Sequence, residues 1–559
     1  MTRVVNSRIR LLLLVILLAF GVLLARATWF ATVRAASLSK LAQAQTKSKV
    51  VLAAGRGTIF DAMGTPLALD EQATTVFADP RQIAKPKADA RIAAAILGLK
   101  ASQLYPILAD RSHGFVYVDR KAPPDKATLL SKRSLTGFYF TPEEKRVYPQ
   151  GPVAAPVLGY AGVDNSGLAG LELELNSPLT GTSGEETVIR DPLGHVIDVQ
   201  SEKPVHDGHN VFLTLDHTIQ ANAEQVLQTT VAKWGAKDAT AIVLDPKTGA
   251  VLAMAMEPGY NANAFPQAAA KGLQANHAVA DVYEPGSVFK VVTIAGALSE
   301  GRVTPETKFT LPYSIRVADR VIHDAEPRGT ETMTVAQILQ RSSNVGAVTI
   351  AETKLGQTGL IKWMHQFGFG QPTGIDFPGE SAGLLPTYWS GSTIGNVPIG
   401  QGVSVTAIQL ASVYAAIANG GLWVQPHLVD HVQGERSPSH RTRRIVSHGV
   451  DHELLTMLKG VVSDAGTGAA AELPGYSVAG KTGTAQKPGP SGYMPGRYVA
   501  TFVGIVPERS PRLIVLVTVD EPRGAYYGGV VAAPAFAQIA GFDLQYLEVP
   551  PDLTVKPAG

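Results

Sequence analysis

The chain has 559 residues, enough for several domains at about 100–200 residues each, and its 45% hydrophobic and 17% charged content is ordinary for globular protein. A formal net charge of +2 gives no electrostatic case for nucleic acid or for an acidic partner. The absence of cysteine excludes thiolate catalysis, cysteine-ligated metal and disulfides.

Arg3, Arg8 and Arg10 precede an uncharged apolar run from Leu11 to Ala25, followed by Arg26, Trp29 and Phe30. Extended to Phe30, the run reads as a membrane span with its basic end inside and its aromatics at the far interface. The rival is a cleaved signal peptide, since Ala25-Arg26-Ala27 has a small-x-small form. Either reading exports the rest of the chain. From Ala36 to Lys49 the pattern reads as a juxtamembrane helix or coil, and Arg56 to Ala68 as a hairpin turning at Gly64 and Pro66. Residues 70–200 read as mixed short elements, with an Ala-rich helix near Ala88 to Leu99 and no metal-ligand spacing or phosphate loop.

After the polar stretch 201–210, Val211 to Asp216 reads as a strand capped into a helix through Leu227. Two apolar runs, 241–245 and 250–256, are joined by the turn Asp245-Pro246-Lys247-Thr248-Gly249. A mostly helical region from Phe289 to Asn419 follows, and the basic stretch Arg436 to Arg444 beyond it reads most simply as a solvated loop. Strands return at 480–486, 498–506 and 512–519, and a helix from Ala533 to Leu547 closes the domain. This order predicts an α+β domain in two lobes, an antiparallel sheet and a helical lobe with a cleft between them. The tail from Pro550 reads as loose.

Three motifs carry the chemistry. Pro285-Gly286-Ser287-Val288-Phe289-Lys290 breaks into a buried helix, whose spacing sets the Ser287 hydroxyl beside the Lys290 amine at a helix N-terminus. A lysine can take a serine proton only if burial or a second cation keeps it neutral. Downstream lie Ser342-Ser343-Asn344, after a helical pattern, and Lys481-Thr482-Gly483-Thr484, in a strand. Each alone is weak: Ser37-Leu38-Ser39-Lys40 and Lys247-Thr248-Gly249 repeat two of the patterns as decoys. The ordered triple, each copy on the element its chemistry requires, is specific.

That triple resembles the serine β-lactamases and penicillin-binding proteins. Further stretches resemble the class B penicillin-binding proteins over nearly the whole chain: Arg56-Gly57 with Ile59, Asp61 and Gly64; Arg146-x-Tyr148-Pro149; Leu179-Thr180-Gly181; Ile399-Gly400-Gln401-Gly402 with Thr406 and Gln409; Asn419-Gly420-Gly421; Asp520-Glu521-Pro522; and Tyr527-Gly528-Gly529. Anchor, length and tail resemble the division-type peptidoglycan D,D-transpeptidases more than the elongation type, which stays the alternative.

The resemblance implies a cytoplasmic N-terminus (1–10), a transmembrane anchor (11–30), a β-rich pedestal or dimerisation domain (31–208), a transpeptidase domain (209–548) and a tail (549–559). It implies a single-pass protein of the inner or plasma membrane, with its catalytic domain on the periplasmic or extracytoplasmic side. By the same resemblance Ser287 attacks the penultimate D-alanine of a stem peptide, Lys290 accepts its proton, and Ser342 with Lys481 relays it to the leaving amine. Asn344 holds Lys290 and the substrate amide. The N–H groups of Ser287 and Thr484 form the oxyanion hole, and Thr482, Gly483 and Thr484 bind the terminal carboxylate. Stem peptides and β-lactam antibiotics are the implied ligands, with no cofactor, metal or nucleic acid. Implied partners are a polytopic SEDS-type, FtsW-like glycosyltransferase and other division proteins. The sequence departs from the pattern at Ser343, where β-lactamases usually carry aspartate, and at Ala62, where the pedestal motif usually carries arginine. A β-lactam sensor or scaffold is the competing reading, but ten residues before Leu11 are too few for a signalling segment. A β-lactamase would need a glutamate to activate water, and none is placed.

Overall fold

The structure, a computed structural model, describes residues 2–37, 40, 47–190, 196–270, 272, 275–490 and 492–553. Contacts divide the chain into two units, residues 1–55 with 181–208, and residues 56–180 with 209–559.

In the first unit, Thr2–Thr32 is one helix, apolar from Asn6 to Thr32. Those 27 residues are long enough to cross a membrane: at 1.5 Å each they span about 40 Å, against a hydrocarbon core of about 30 Å. The helix overruns the expected 11–30 at both ends, so Arg26 lies within it, its guanidinium 5.9 Å from the Phe30 ring centre. Strand Gly184–Arg190 pairs antiparallel with Lys47–Leu52 on one side and Val196–Lys203 on the other. The Ser37 hydroxyl donates to Arg34 O, and the next two residues of that decoy, with 41–46 of the expected juxtamembrane helix, lie outside the described residues.

In the second unit, Ile59–Phe60 turns at Gly64 (φ +82°) into Pro66–Ala78, which pairs with Val116–Ala122 and Phe138–Val147. Helices Pro86–Leu97, Ala101–Ala109 and Pro124–Ser131 bury Ala93, Leu104, Leu108 and Leu130 against Val76, Ala78 and Phe138. Two of the quoted motifs converge on one carboxylate. Glu172, fully buried, accepts Arg56 Nε at 2.7 Å and Arg146 Nε at 2.6 Å, and Arg146 also reaches Asp70 at 3.2 Å. The hairpin is pinned forward by backbone: Val211–Phe212 pairs parallel with Ile59–Phe60, and Ala62 N donates to Leu215 O.

The closing domain is built on a five-stranded antiparallel sheet in the order Val251–Glu257, Asp238–Leu244, Leu513–Asp520, Gly492–Val506, Ala479–Gly489. Its central strands are buried on both faces, so they read as continuous apolar runs rather than alternating ones. Val515, Val517 and Val519 pack with helices His217–Trp234 and Ala533–Tyr546 on one face; Ile514 and Leu516 pack on the other with helices Lys290–Ser299 and Ala407–Ala418. Asp216 caps the first of these helices, and a Thr406–Gln409 capping box opens the last.

Three expectations are corrected. The helical region 289–419 contains two small hairpins, Lys308–Leu311 with Glu331–Thr334 and Ser314–Val317 with Arg320–His323. The basic stretch Arg436 to Arg444 ends in a strand, Thr442–Arg444, paired with Leu422–Val424 rather than running as a free loop. The tail is tied as far as Leu553: Asp552 accepts from Ser477 N and Leu553 N donates to Gly475 O, while 554–559 lie outside the described residues.

Candidate active site

Ser287 sits in a 3₁₀ turn, Gly286–Phe289, and the α-helix proper begins at Lys290. The difference follows from Gly286, whose φ of +58° no α-helix admits. Close backbone approach demands this glycine and its neighbour: a Cβ on Gly286 would lie 2.7 Å from Thr484 O, and one on Gly400 (φ +75°) would lie 2.1 Å from Gly286 O. Gly286 N donates to Gly400 O at 3.1 Å. The Ser287 turn is therefore wedged between the Lys481 strand and the Ile399-Gly400-Gln401-Gly402 loop. Glu284, buried just ahead of it, accepts from Gly402 N at 2.8 Å and from Tyr493 OH at 2.9 Å. Through Tyr493 the far end of the Lys481 hairpin reaches the Ser287 turn.

Lys290 and Lys481 are both fully buried, and both reach Ser342. Lys290 Nζ lies 2.5 Å from Ser342 O, 2.7 Å from Asn344 Oδ1 and 3.2 Å from Ser342 Oγ; Lys481 Nζ lies 2.9 Å from the same hydroxyl. Burial lowers Lys290 from 10.5 to about 7, with the Asp324 carboxylate pulling the other way. Burial also lowers Lys481, and the charge of Lys290 adds to it. A neutral amine has two N–H bonds and one lone pair. Ser342 O and Asn344 Oδ1 accept only, so they take both N–H bonds of neutral Lys290 and leave its lone pair to receive a proton. The Ser287 hydroxyl has no hydrogen-bond partner among the described residues, so the expected Ser287–Lys290 contact is not formed in the free protein.

Ser342 holds its place in a left-handed backbone conformation (φ +56°), a costly state for a residue with a Cβ and one that clusters at functional sites. Ser343 caps helix Asn344–Ile350, its hydroxyl accepting from Gly346 N and donating to Asp324 at 3.0 Å. Asp324 also accepts from Val345 N and is clamped by Arg328 at 2.6 Å. The Asn344 amide donates to His323 O, which fixes its oxygen toward Lys290. Where Ser343 departs from the tabulated aspartate, a buried carboxylate thus arrives from another part of the chain.

Thr482 Oγ1 shares a 2.6 Å hydrogen bond with Thr467 Oγ1, and Thr484 Oγ1 accepts from Gly528 N at 3.1 Å. Gly483 cannot carry a side chain, because its Cβ would meet Pro285 O at 2.8 Å. Asp324, Glu284 and Thr467 are invisible to motif reading, since each meets its partner 15 or more residues away with no local pattern, and Arg328 enters only through Asp324. The decoy Lys247-Thr248-Gly249 lies in an exposed turn where Asp245 accepts from Lys247 N. Asp520 and Glu521 pair chiefly with lysine: Lys487 reaches both, Lys237 reaches Asp520, and Arg497 meets Glu521.

Comparison with known proteins points the same way. Residues 239–541 match the family described as penicillin binding protein transpeptidase domain, and residues 51–213 match the penicillin-binding protein dimerisation domain. The chain is similar to the peptidoglycan D,D-transpeptidase FtsI of Escherichia coli (strain K12), with 33% identity over 558 residues, 98% of this chain and 93% of that protein. It is 36% identical to the penicillin-binding protein PbpB of Mycobacterium tuberculosis over 563 residues, 92% of this chain and 81% of that one. Among solved structures, penicillin binding protein 3 of M. tuberculosis complexed with aztreonam aligns with a TM-score of 0.70 and 31% identity, over 90% of this chain and 99% of that chain.

Proposed function

The chain belongs to the class B penicillin-binding proteins and is a peptidoglycan D,D-transpeptidase with an N-terminal membrane helix; from that premise we propose that it cross-links stem peptides through an ester on Ser287. The observation that carries the residue assignment is the convergence of two buried lysines on the Ser342 hydroxyl beside the Ser287 turn. Lys290, half of it neutral at pH 7, exchanges one of its Ser342 contacts for the Ser287 hydroxyl in that neutral form and takes its proton as Oγ attacks the penultimate D-alanine carbonyl. The C–N bond breaks, and the departing D-alanine amine receives a proton through Ser342 and Lys481. The backbone N–H groups of Ser287 and Thr484 stabilise the oxyanion, where loss of one donor typically costs about 2.7–4 kcal/mol of barrier. Thr482, Gly483 and Thr484 take the terminal carboxylate, and Asn344 orients Lys290 and the substrate amide. An amine of a second stem peptide then attacks the ester and frees Ser287.

β-Lactams acylate the same serine, and the aztreonam complex of the related M. tuberculosis protein supports that reading. The pedestal (31–208) carries the transpeptidase domain (209–548) on the extracytoplasmic side of the membrane, as the basic residues before Leu11 favour. The likeness to FtsI supports a role in septal synthesis alongside an FtsW-like glycosyltransferase. The test is exchange of a labelled D-amino acid into nascent peptidoglycan by the purified full chain. Label should enter with the wild type and not with Ser287→Ala. Equal incorporation by both would overturn the assignment.

A further inference from the structure

Three carboxylates are buried around the start of helix His217–Trp234: Asp61 (1% exposed), Asp216 (4%) and Asp543 (0%). Ligand atoms of Asp61, Asp216 and His217 lie within 4.8 Å of one another. Local contacts account for the first two carboxylates. Asp61 Oδ1 accepts from Met63 N and Thr65 N, and its Oδ2 accepts from His217 N at 3.3 Å and lies 2.5 Å from His217 Nδ1. Asp216 Oδ1 accepts from Thr218 N and Ile219 N as a helix cap.

They do not account for Asp543. Both of its oxygens are buried with no hydrogen-bond partner among the described residues. It lies on helix Ala533–Tyr546, which packs against helix His217–Trp234, and the charge that acts on it is that of Asp216. Tyr546, one turn along the same helix face, contacts Thr218 and Asp216, so this face is turned to the cluster. Among the described residues no lysine or arginine forms an ion pair with any of the three carboxylates, and His217 is the one basic group that does. Burying an ionised carboxylate without a hydrogen bond or a cation is costly, so Asp543 stays protonated unless a cation enters the cluster.

We propose that this cluster binds one divalent transition-metal ion, held by Asp61, Asp216 and His217, with water on the ion bridging to Asp543. One imidazole with carboxylates suits zinc or manganese, whereas magnesium and calcium prefer oxygen alone. Metal–ligand bonds of about 2.0–2.2 Å put paired ligands about 3–4 Å apart, a spread these side chains meet by small rotations. The Asp61–His217 contact opens, the Nδ1 proton leaves to solvent, and the nitrogen lone pair takes the metal. His217 is 31% exposed and gives access to the ion. Asp543, beyond the first ligands, holds a bound water in the manner of outer carboxylates at metal centres. The site joins the pedestal hairpin, the first helix of the closing domain and its last helix, so the ion would tie these three together. The inference is independent of the transpeptidase assignment.

The test is calorimetric titration of the chelator-treated, detergent-solubilised full chain with zinc, manganese and magnesium chlorides. Wild type should bind one equivalent of zinc or manganese with a rise in thermal midpoint, and magnesium at least tenfold more weakly. Asp216→Asn keeps the helix cap and His217→Gln is partly exposed; each should lose the bound equivalent, and Asp543→Asn should weaken it about 10–100-fold. Undiminished penicillin labelling of each variant shows that the fold is intact. No binding by the wild type, or zinc binding unchanged in all three variants through other histidines, overturns the proposal.

Discussion

Acylation of Ser287 should follow the titration of Lys290. Burial carries that amine from 10.5 to about 7. At 1.36 kcal/mol per pKa unit, the charged form is disfavoured by about 5 kcal/mol relative to an exposed lysine. A lysine titrating near 7 is half neutral at pH 7 and about 1% neutral at pH 5, while an ordinary lysine would be about 0.03% neutral at pH 7. The second-order rate of labelling by a fluorescent penicillin, measured from pH 5 to 9, should therefore rise about 100-fold and level off above pH 8. Asp324 favours the ammonium, so Asp324→Asn should move the rising limb to lower pH while lowering the plateau, as Ser343 and Val345 lose part of their anchor. A rate still climbing tenfold per pH unit at pH 9, or flat throughout, would refute Lys290 as the base.

Glu172→Gln leaves the guanidinium of Arg56 without its carboxylate and that of Arg146 with Asp70 alone, and should cost about 3–5 kcal/mol in denaturant unfolding with the acylation rate of folded protein unchanged. Gly400→Ala drives a Cβ to 2.1 Å from Gly286 O and should slow acylation at least tenfold. Gly402→Ala, at φ +71° with open space around it, should cost only about 1 kcal/mol of stability and leave acylation nearly intact. Equal damage from the two alanines would mean that the Gly286–Gly400 contact does not position Ser287.

Much of this was legible because the residues proposed to react lie in short motifs on regular elements. The apolar spacing after Gly286 marks a buried helix, Asp216 marks a cap, and Lys481 lies in a strand whose neighbours are apolar runs. What could not be read depends on distant pairing. Glu172 lies 116 residues from Arg56, and nothing in its neighbourhood distinguishes it from a surface glutamate. Asp324 follows the inner of two nested short strand pairs, whose alternation is too brief to stand out from the helical lobe. The 3₁₀ turn at Ser287 and the left-handed Ser342 are imposed by tertiary contacts that override local preference. Asp543 reads as an ordinary polar position within the last helix, and only its burial in the fold makes it unusual.

The central claim is that one serine carries the acyl group. The direct measurement is mass mapping of the penicillin adduct on the membrane-solubilised full chain, with Ser287→Ala and Ser37→Ala beside the wild type and the decay of the adduct followed in time. One adduct should form, on the peptide containing Ser287, slow to hydrolyse, kept in Ser37→Ala and lost in Ser287→Ala. An adduct elsewhere, or none on the wild type, would contradict it.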